Sequence, residues 1–219
     1  MPINFKIINK GNSSINYIWV HANETTAEKT LLKHMNTNTG KAFFIDNPHN
    51  KREVLIEDML IDPNRIFSSI GIIESLLSLN VNCSNNEHTE KINKIVFLIE
   101  NKLKIYLPII IPEHGKLLIA MHNNLDGYSI YDEVNDSDDL CLNDKENPND
   151  FFLVNNLSDY NKLKNTAYNV LLQTKTRLDD GSLSCRISKE GRRYLNIEVR
   201  HGQTEKNYLM LDAAVKLLK

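Results

Sequence analysis

A histidine and a glutamate stand three residues apart in His21-Ala22-Asn23-Glu24, directly after the apolar run Tyr17 to Val20. At the exit of a strand, that spacing lets both side chains turn toward one point. Imidazole nitrogen and carboxylate oxygen are both zinc ligands, at about 2.0–2.2 Å. The same residues also suit a surface histidine beside a helix-capping glutamate. A further histidine, His122, ends the unbroken apolar run Leu117 to Met121 and is followed by Asn123-Asn124. A buried strand that stops in polar residues puts them at the carboxyl edge of a sheet, where α/β proteins build their sites. His122 is either a third ligand, with a fourth position left for water as catalytic zinc requires, or a loop histidine satisfied by backbone.

Glu198 interrupts the apolar run Tyr194 to Val199. On a cleft-facing position, burial would raise its pKa toward that of a useful general base; facing solvent, it would be an ordinary strand glutamate. Asp62-Pro63-Asn64-Arg65-Ile66-Phe67 places an amide and a guanidinium side by side after a proline-fixed turn. A guanidinium binds a substrate carboxylate bidentately, although a turn with a surface arginine has the same sequence.

These residues need strands and helices to position them, and the chain alternates between the two, which implies an α/β layer architecture. Strands are expected at Tyr17 to Val20, Lys41 to Asp46, Arg52 to Glu57, Leu117 to Met121, Phe151 to Val154, Tyr168 to Gln173, Ser182 to Ile187 and Tyr194 to Val199. Asp179-Asp180-Gly181 reads as a hairpin turn and Glu190-Gly191 as another turn before the last strand. Helices are expected at Thr25 to His34, capped by Thr25 or Thr26, and at Ile70 to Leu79, Glu87 to Lys104 and Gln203 to Leu218. In the third of these, Ile92, Ile95, Val96, Ile99 and Leu103 share one face. Asp132 to Asp150, rich in Asp and Asn, reads as a long surface loop. With no repeat and no linker composition, a single domain over 1–219 is the simpler expectation: a mixed, mostly parallel twisted sheet with helices on both faces.

The composition narrows the function. The 219 residues are 41% hydrophobic and 25% charged, ordinary globular values, with a net charge of −2. Lys and Arg are scattered, so a nucleic-acid footprint is not expected. Cys83, Cys141 and Cys185 are widely spaced, which excludes a cysteine-rich metal site. No apolar run approaches the ~20 residues of a membrane span, and the first residues carry no signal-peptide core; the compartment stays open between cytoplasmic and exported. His34, His49, His88 and His114 lie in polar or helical surroundings and read as surface residues.

The four chemical pieces, in this order, resemble the zinc carboxypeptidase superfamily, including its compact branch of the succinylglutamate desuccinylase and aspartoacylase type. Val20-His21-Ala22-Asn23-Glu24 is similar to that branch's H-G-N-E, with Ala22 for Gly. Asp62 to Phe67 is similar to D-L-N-R-x-F, with Pro63 for Leu. The resemblance spans residue 18 to about residue 200 and is confined to these motifs. It implies that His21, Glu24 and His122 bind Zn2+, that Asn64 and Arg65 hold a substrate carboxylate, and that Glu198 takes a proton from water and passes it to the leaving amine. Arg65 would also help stabilise the developing oxyanion. Tyr128 is a candidate for the family's substrate-capping tyrosine, and His201, in Arg200-His201-Gly202, either touches substrate or sits in a solvated loop. No separate carboxylate-binding arginine matches in the middle of the chain.

The function so implied is hydrolysis of an amide next to a free carboxylate. The substrate is a peptide C-terminus, possible cell-wall peptides included, or an N-acyl amino acid. The short chain and the H-x-N-E form favour the acylase branch, and the short segment after Glu198 disfavours it. A non-catalytic binding module on the same fold, or a structural protein in which the motifs are coincidence, are the alternatives from other classes. The oligomeric state is not legible.

Overall fold

Apolar runs without polar interruption fold as strands covered on both faces, and amphipathic runs fold as the helices that cover them. The computed structural model describes residues 3–80, 86–124, 127–174 and 178–219, with only the backbone of Asn86 and Glu87; Cys83 and Asp126 fall outside this range. In chain order the elements are β1 (Phe5–Asn9), β2 (Ile15–Trp19), α1 (Thr25–Thr37), β3 (Lys41–Ile45), β4 (Val54–Ile56), β5 (Met59–Ile61), α2 (Ser69–Leu79), α3 (Asn86–Ile110), β6 (Leu117–Met121), β7 (Asp139–Cys141), β8 (Phe151–Val154), α4 (Leu157–Leu163), β9 (Asn169–Leu172), α5 (Leu183–Lys189), β10 (Arg193–Glu198) and α6 (Thr204–Leu218). Short 3-10 turns lie at Pro63–Arg65 and Ile130–Asp136.

Eight strands form one mixed sheet in the order β1-β3-β2-β6-β10-β8-β9-β7, and β4 and β5 form a separate hairpin. The central strands β3, β2, β6 and β10 are mutually parallel. Every residue of β6 is buried, so neither of its faces meets water. On α3, Ile92, Ile95, Ile99 and Leu103 are buried, as their shared face requires. Helices α1 and α4 each pack on α6, α2 packs on α3, and α5 lies on β10. The α/β class with a mostly parallel mixed sheet is therefore as expected. Among the described residues no helix is long and apolar enough to cross a membrane, and no disulfide joins Cys141 to Cys185.

Several local expectations are corrected. Ser182 to Ile187 is a helix, not a strand: Ser182 Oγ accepts from Cys185 N at 3.2 Å and starts α5. Its buried Leu183, Cys185 and Ile187 mimic a two-residue period over too short a run to tell strand from helix. Asp179-Asp180-Gly181 is accordingly no hairpin, and Glu190-Gly191 joins α5 to β10. Arg52 to Glu57 shrinks to β4, outside the main sheet, while β1, β5 and α4 are additions. The Asp132 to Asp150 stretch contains most of a 3-10 turn and all of β7, which pairs with β9. Thr25 and Thr26 lie inside α1 and do not cap it; Glu24 holds the cap position without a side-chain cap bond. His34 is buried, not a surface residue, with Nε2 at 3.0 Å from the Tyr17 hydroxyl; burial lowers its pKa to about 4, so it is neutral.

Gly181 adopts a left-handed φ of 74° and presses its backbone against Gly71 and the Arg65 carbonyl, while Phe67 N donates to Gly181 O at 3.0 Å. A Cβ at Gly71 would overlap Gly181 and the Arg65 carbonyl. Gly71→Ala is therefore expected to destabilise the fold by about 1–3 kcal/mol, read as a lower midpoint in urea unfolding. An unchanged midpoint would show that this backbone contact is not tight.

Candidate metal centre

Strands β2, β6 and β10 are neighbours and run the same way, so their carboxyl ends lie side by side. His21 lies two residues beyond the end of β2, His122 directly follows β6, and Glu198 is the last residue of β10. The turn after β2 closes through Glu24 N donating to His21 O at 3.0 Å, and the Trp19 indole donates to Glu24 O at 3.0 Å. Glu24 is thereby aimed back over the strand ends.

The Glu24 carboxylate lies between the two imidazoles. His21 Nδ1 is 2.7 Å from its Oε1 and His122 Nδ1 is 2.9 Å from its Oε2. One ligand atom from each of His21, Glu24 and His122 lies within 4.8 Å of the others, and all three residues are buried. The other ring nitrogen of His21 is held by Asp62 Oδ1 at 2.9 Å. A carboxylate on the far nitrogen fixes a ligating histidine's orientation, so the donor set fits a divalent metal ion. Arg52 reaches Glu24 Oε1 and Asp62 Oδ2, each at 3.3 Å.

The electrostatics are those of a buried anion that needs a cation. Burial alone would depress His21, but the carboxylates of Glu24 and Asp62 outweigh it and raise its pKa to about 9. Burial likewise opposes the Glu24 carboxylate, but His122 and His21 hold its pKa at about 2. Asp62 is held well below the carboxylate range, against burial, by His21 and Arg52. Glu198 goes the other way: burial foremost, with the Glu24 charge adding, pushes it up. Asn196 Nδ2 donates to its Oε1 at 3.1 Å and Asn124 Nδ2 to its Oε2 at 3.4 Å.

A cavity of about 560 Å³ opens over this cluster. Along β10 the alternate residues Tyr194, Asn196 and Glu198 all line it, which settles the facing of Glu198 toward the cleft. Asn64, Arg65, Tyr128 and His201 line it as well. Arg65 Nη1 donates to Asp180 Oδ2 at 2.6 Å, Asn64 Oδ1 accepts from Leu183 N at 3.2 Å, and the Tyr128 hydroxyl donates to Glu133 at 2.7 Å. His201 is exposed, with Nδ1 at 3.2 Å from Asn123 Nδ2. Every candidate ligand, base and substrate-binding residue named from the sequence thus lines one cavity. Those missed are Asp62, Arg52, Asn123, Asn124 and Asn196. Asp62 heads a motif already noted, and Asn123-Asn124 follow His122; Arg52 and Asn196 have no local signal.

A scan of the sequence against protein-family models finds no match, and neither does a search of curated proteins. Solved structures do match. The apo cell shape determinant protein Csd4 from Helicobacter pylori superposes with a TM-score of 0.53 at 11% identity, over 98% of this chain and 54% of that one. The chain thus spans about half of that neighbour's length. Gene product Atu2144 from Agrobacterium tumefaciens matches with a TM-score of 0.44 at 9% identity, over 99% of this chain and 93% of that one. At such identity the first likeness speaks for the fold alone. The chain thus shares an α/β fold with that neighbour, and it carries a buried histidine–glutamate–histidine group that could hold a metal ion.

A metal ion bound at this cluster would have to displace the proton of His21, whose pKa the Glu24 and Asp62 carboxylates raise from 6.5 to about 9. Metal affinity is therefore expected to be greatest above that value and to fall about tenfold per pH unit below it. Isothermal titration in two buffers of different ionisation enthalpy should show about one proton released at pH 7. Affinity independent of pH would refute the shift. By the same sign, the raised His21 stabilises the metal-free fold fully below pH 6.5 and ceases to do so as pH rises through about 9.

Proposed function

We propose that the protein is a zinc-dependent hydrolase that cleaves an amide bond adjacent to a free carboxylate, acting as one catalytic domain over residues 1–219. The observation that carries this reading is the meeting of His21, Glu24 and His122 at the carboxyl ends of β2 and β6, with Glu198 beside them on β10. In this reading, His21, His122 and Glu24 would hold the ion. Bound zinc supplies Lewis acidity, lowering the pKa of water toward ~7 and polarising the scissile carbonyl.

The chain's own groups do the rest. Asp62 keeps Nδ1 of His21 turned toward the metal position by holding Nε2. Glu198 takes a proton from the attacking water and delivers it to the leaving nitrogen. Its burial raises its basicity for that task, and the Asn124 and Asn196 amides fix its plane. Asn64 and Arg65 receive the substrate carboxylate across the cavity, with Arg65 also facing the developing oxyanion. Tyr128, on the cavity wall, covers the bound substrate.

A peptide C-terminus is the leading substrate class, with cell-wall peptides foremost. The fold neighbour is described as a determinant of cell shape, and cell-wall peptides offer amides next to free carboxylates. An N-acyl amino acid presents the same pair of groups and is the second class.

Purified protein should contain about one zinc per chain, and Glu24→Gln should lose it. Glu198→Gln should keep the metal and lose turnover by about 10²–10⁴-fold on whichever substrate a screen of C-terminal peptides, muropeptides and N-acyl amino acids selects. Metal without turnover in every case would leave a ligand-binding module, and no metal at all would end the proposal.

A further inference from the structure

Glu24 stands at the N-cap of α1, where the first backbone N–H groups have no partner within the helix. A side chain at this position ordinarily folds back to accept from the second and third of them. The partial positive charge of the helix end draws a carboxylate there especially. Glu24 does not do this. The two donors in question, Thr26 N and Ala27 N, are taken instead by Asn123 Oδ1 at 3.0 and 3.1 Å, from the far end of β6. Thr25 N is satisfied by Asn23 O at 2.9 Å and Glu28 N by Glu24 O at 3.1 Å, so the helix start is fully partnered without the Glu24 side chain.

We infer that Asn123 is a positioning residue for the metal centre: by capping α1 from another strand, it releases the Glu24 carboxylate to the imidazoles. Three further features fit this role. Asn123 is buried, its own N–H donates to Glu24 Oε2 at 3.3 Å, and it directly follows His122 in the chain. One residue therefore fixes helix, ligand and neighbouring ligand together. The single amide oxygen accepts both helix donors, which leaves the Glu24 carboxylate free of them. Without that oxygen, Thr26 N and Ala27 N, both in buried residues, would lack a partner, and Glu24 is the acceptor within reach along the chain.

The inference rests on the metal-centre reading above, and two readouts keep the two apart. In zinc titrations of the metal-free protein, Asn123→Ala is expected to weaken binding by about 10–100-fold. Asn123→Asp, whose carboxylate also accepts both donors, is expected to retain wild-type affinity or better. Asn156→Ala removes the corresponding cap from α4, where Asn156 Oδ1 accepts from Asp159 N at 3.2 Å; it should lower the melting temperature and leave zinc binding unchanged. Crystals of metal-free Asn123→Ala should show the Glu24 carboxylate turned onto Thr26 N or Ala27 N. Wild-type zinc affinity in Asn123→Ala, equal loss in Asn156→Ala, or a Glu24 still lodged between the imidazoles would each overturn the inference. A wild-type protein that binds no zinc overturns the metal reading, and the position of Glu24 in that crystal then decides the inference by itself.

Discussion

The register of three parallel strands is the constraint on which the site depends. Ala120 of β6 lies opposite Asn196 of β10, so His122 and Glu198, each two residues further on, emerge at the same level. His122 N donates to Ile197 O and Asn124 N to Val199 O, each at 3.0 Å, which continues the ladder past the end of β6. Parallel neighbours stand about 4.8 Å apart, close enough for a ligand on one strand and a base on the next to serve one substrate. A slip of one residue would turn Glu198 into the core and an isoleucine or valine into the cleft. The alternation of β10 opposes that slip, because it would bury Asn196 and Glu198 where Leu195 and Ile197 now pack.

On that frame, the charges divide into two carboxylates with opposite tendencies. Glu24 and Glu198 are both almost fully buried. Glu24 is flanked by two imidazoles and stays ionised; Glu198 has amides for hydrogen-bond partners and a carboxylate nearby, and is pushed toward the neutral form. Carboxylates whose surroundings drive their pKa values apart are suited to different tasks: one to hold a cation, the other to gain and lose a proton. The His21 imidazole sits between the Glu24 and Asp62 carboxylates, whose charges raise its pKa and favour a cation at that point.

Much of this was readable before the structure, for physical reasons that also explain what was not. Continuous apolar runs mark β6 and β8 and an interrupted one marks β10, and the polar residues that end or interrupt β6 and β10 mark the carboxyl edge. His21 and Glu24 were legible because a strand exit and a helix start fix a four-residue turn between them. Arg52 and Asn196 were not, because their roles come from tertiary approach: Arg52 reaches the centre from the segment before β4, and the facing of Asn196 follows only once Glu198 is placed. The α5 error has the same root, since a seven-residue helix with three buried positions at alternate places carries no period of its own. His34 was misread because its buried partner, Tyr17, lies on another element.

The two halves of the cavity are built on different physics. The metal half hangs on strand ends and buried hydrogen bonds, so its geometry is fixed. The half proposed to receive substrate hangs on the 3-10 turn at Pro63–Arg65 and on the approach to α5, brought together by the close backbone contact of Gly71, Gly181 and Arg65. There Arg65 is paired with Asp180, and both side chains are about two-fifths exposed. An ion pair so open to water contributes roughly 0–1 kcal/mol. In the proposed function, Arg65 would give up little by turning part of its guanidinium from Asp180 to an incoming carboxylate, and Asp180 would keep it extended over the cavity until then. Under the proposed function, a rigid metal half beside a pre-extended cation would let substrate selection change on the loops while the chemistry on the strands stayed in place.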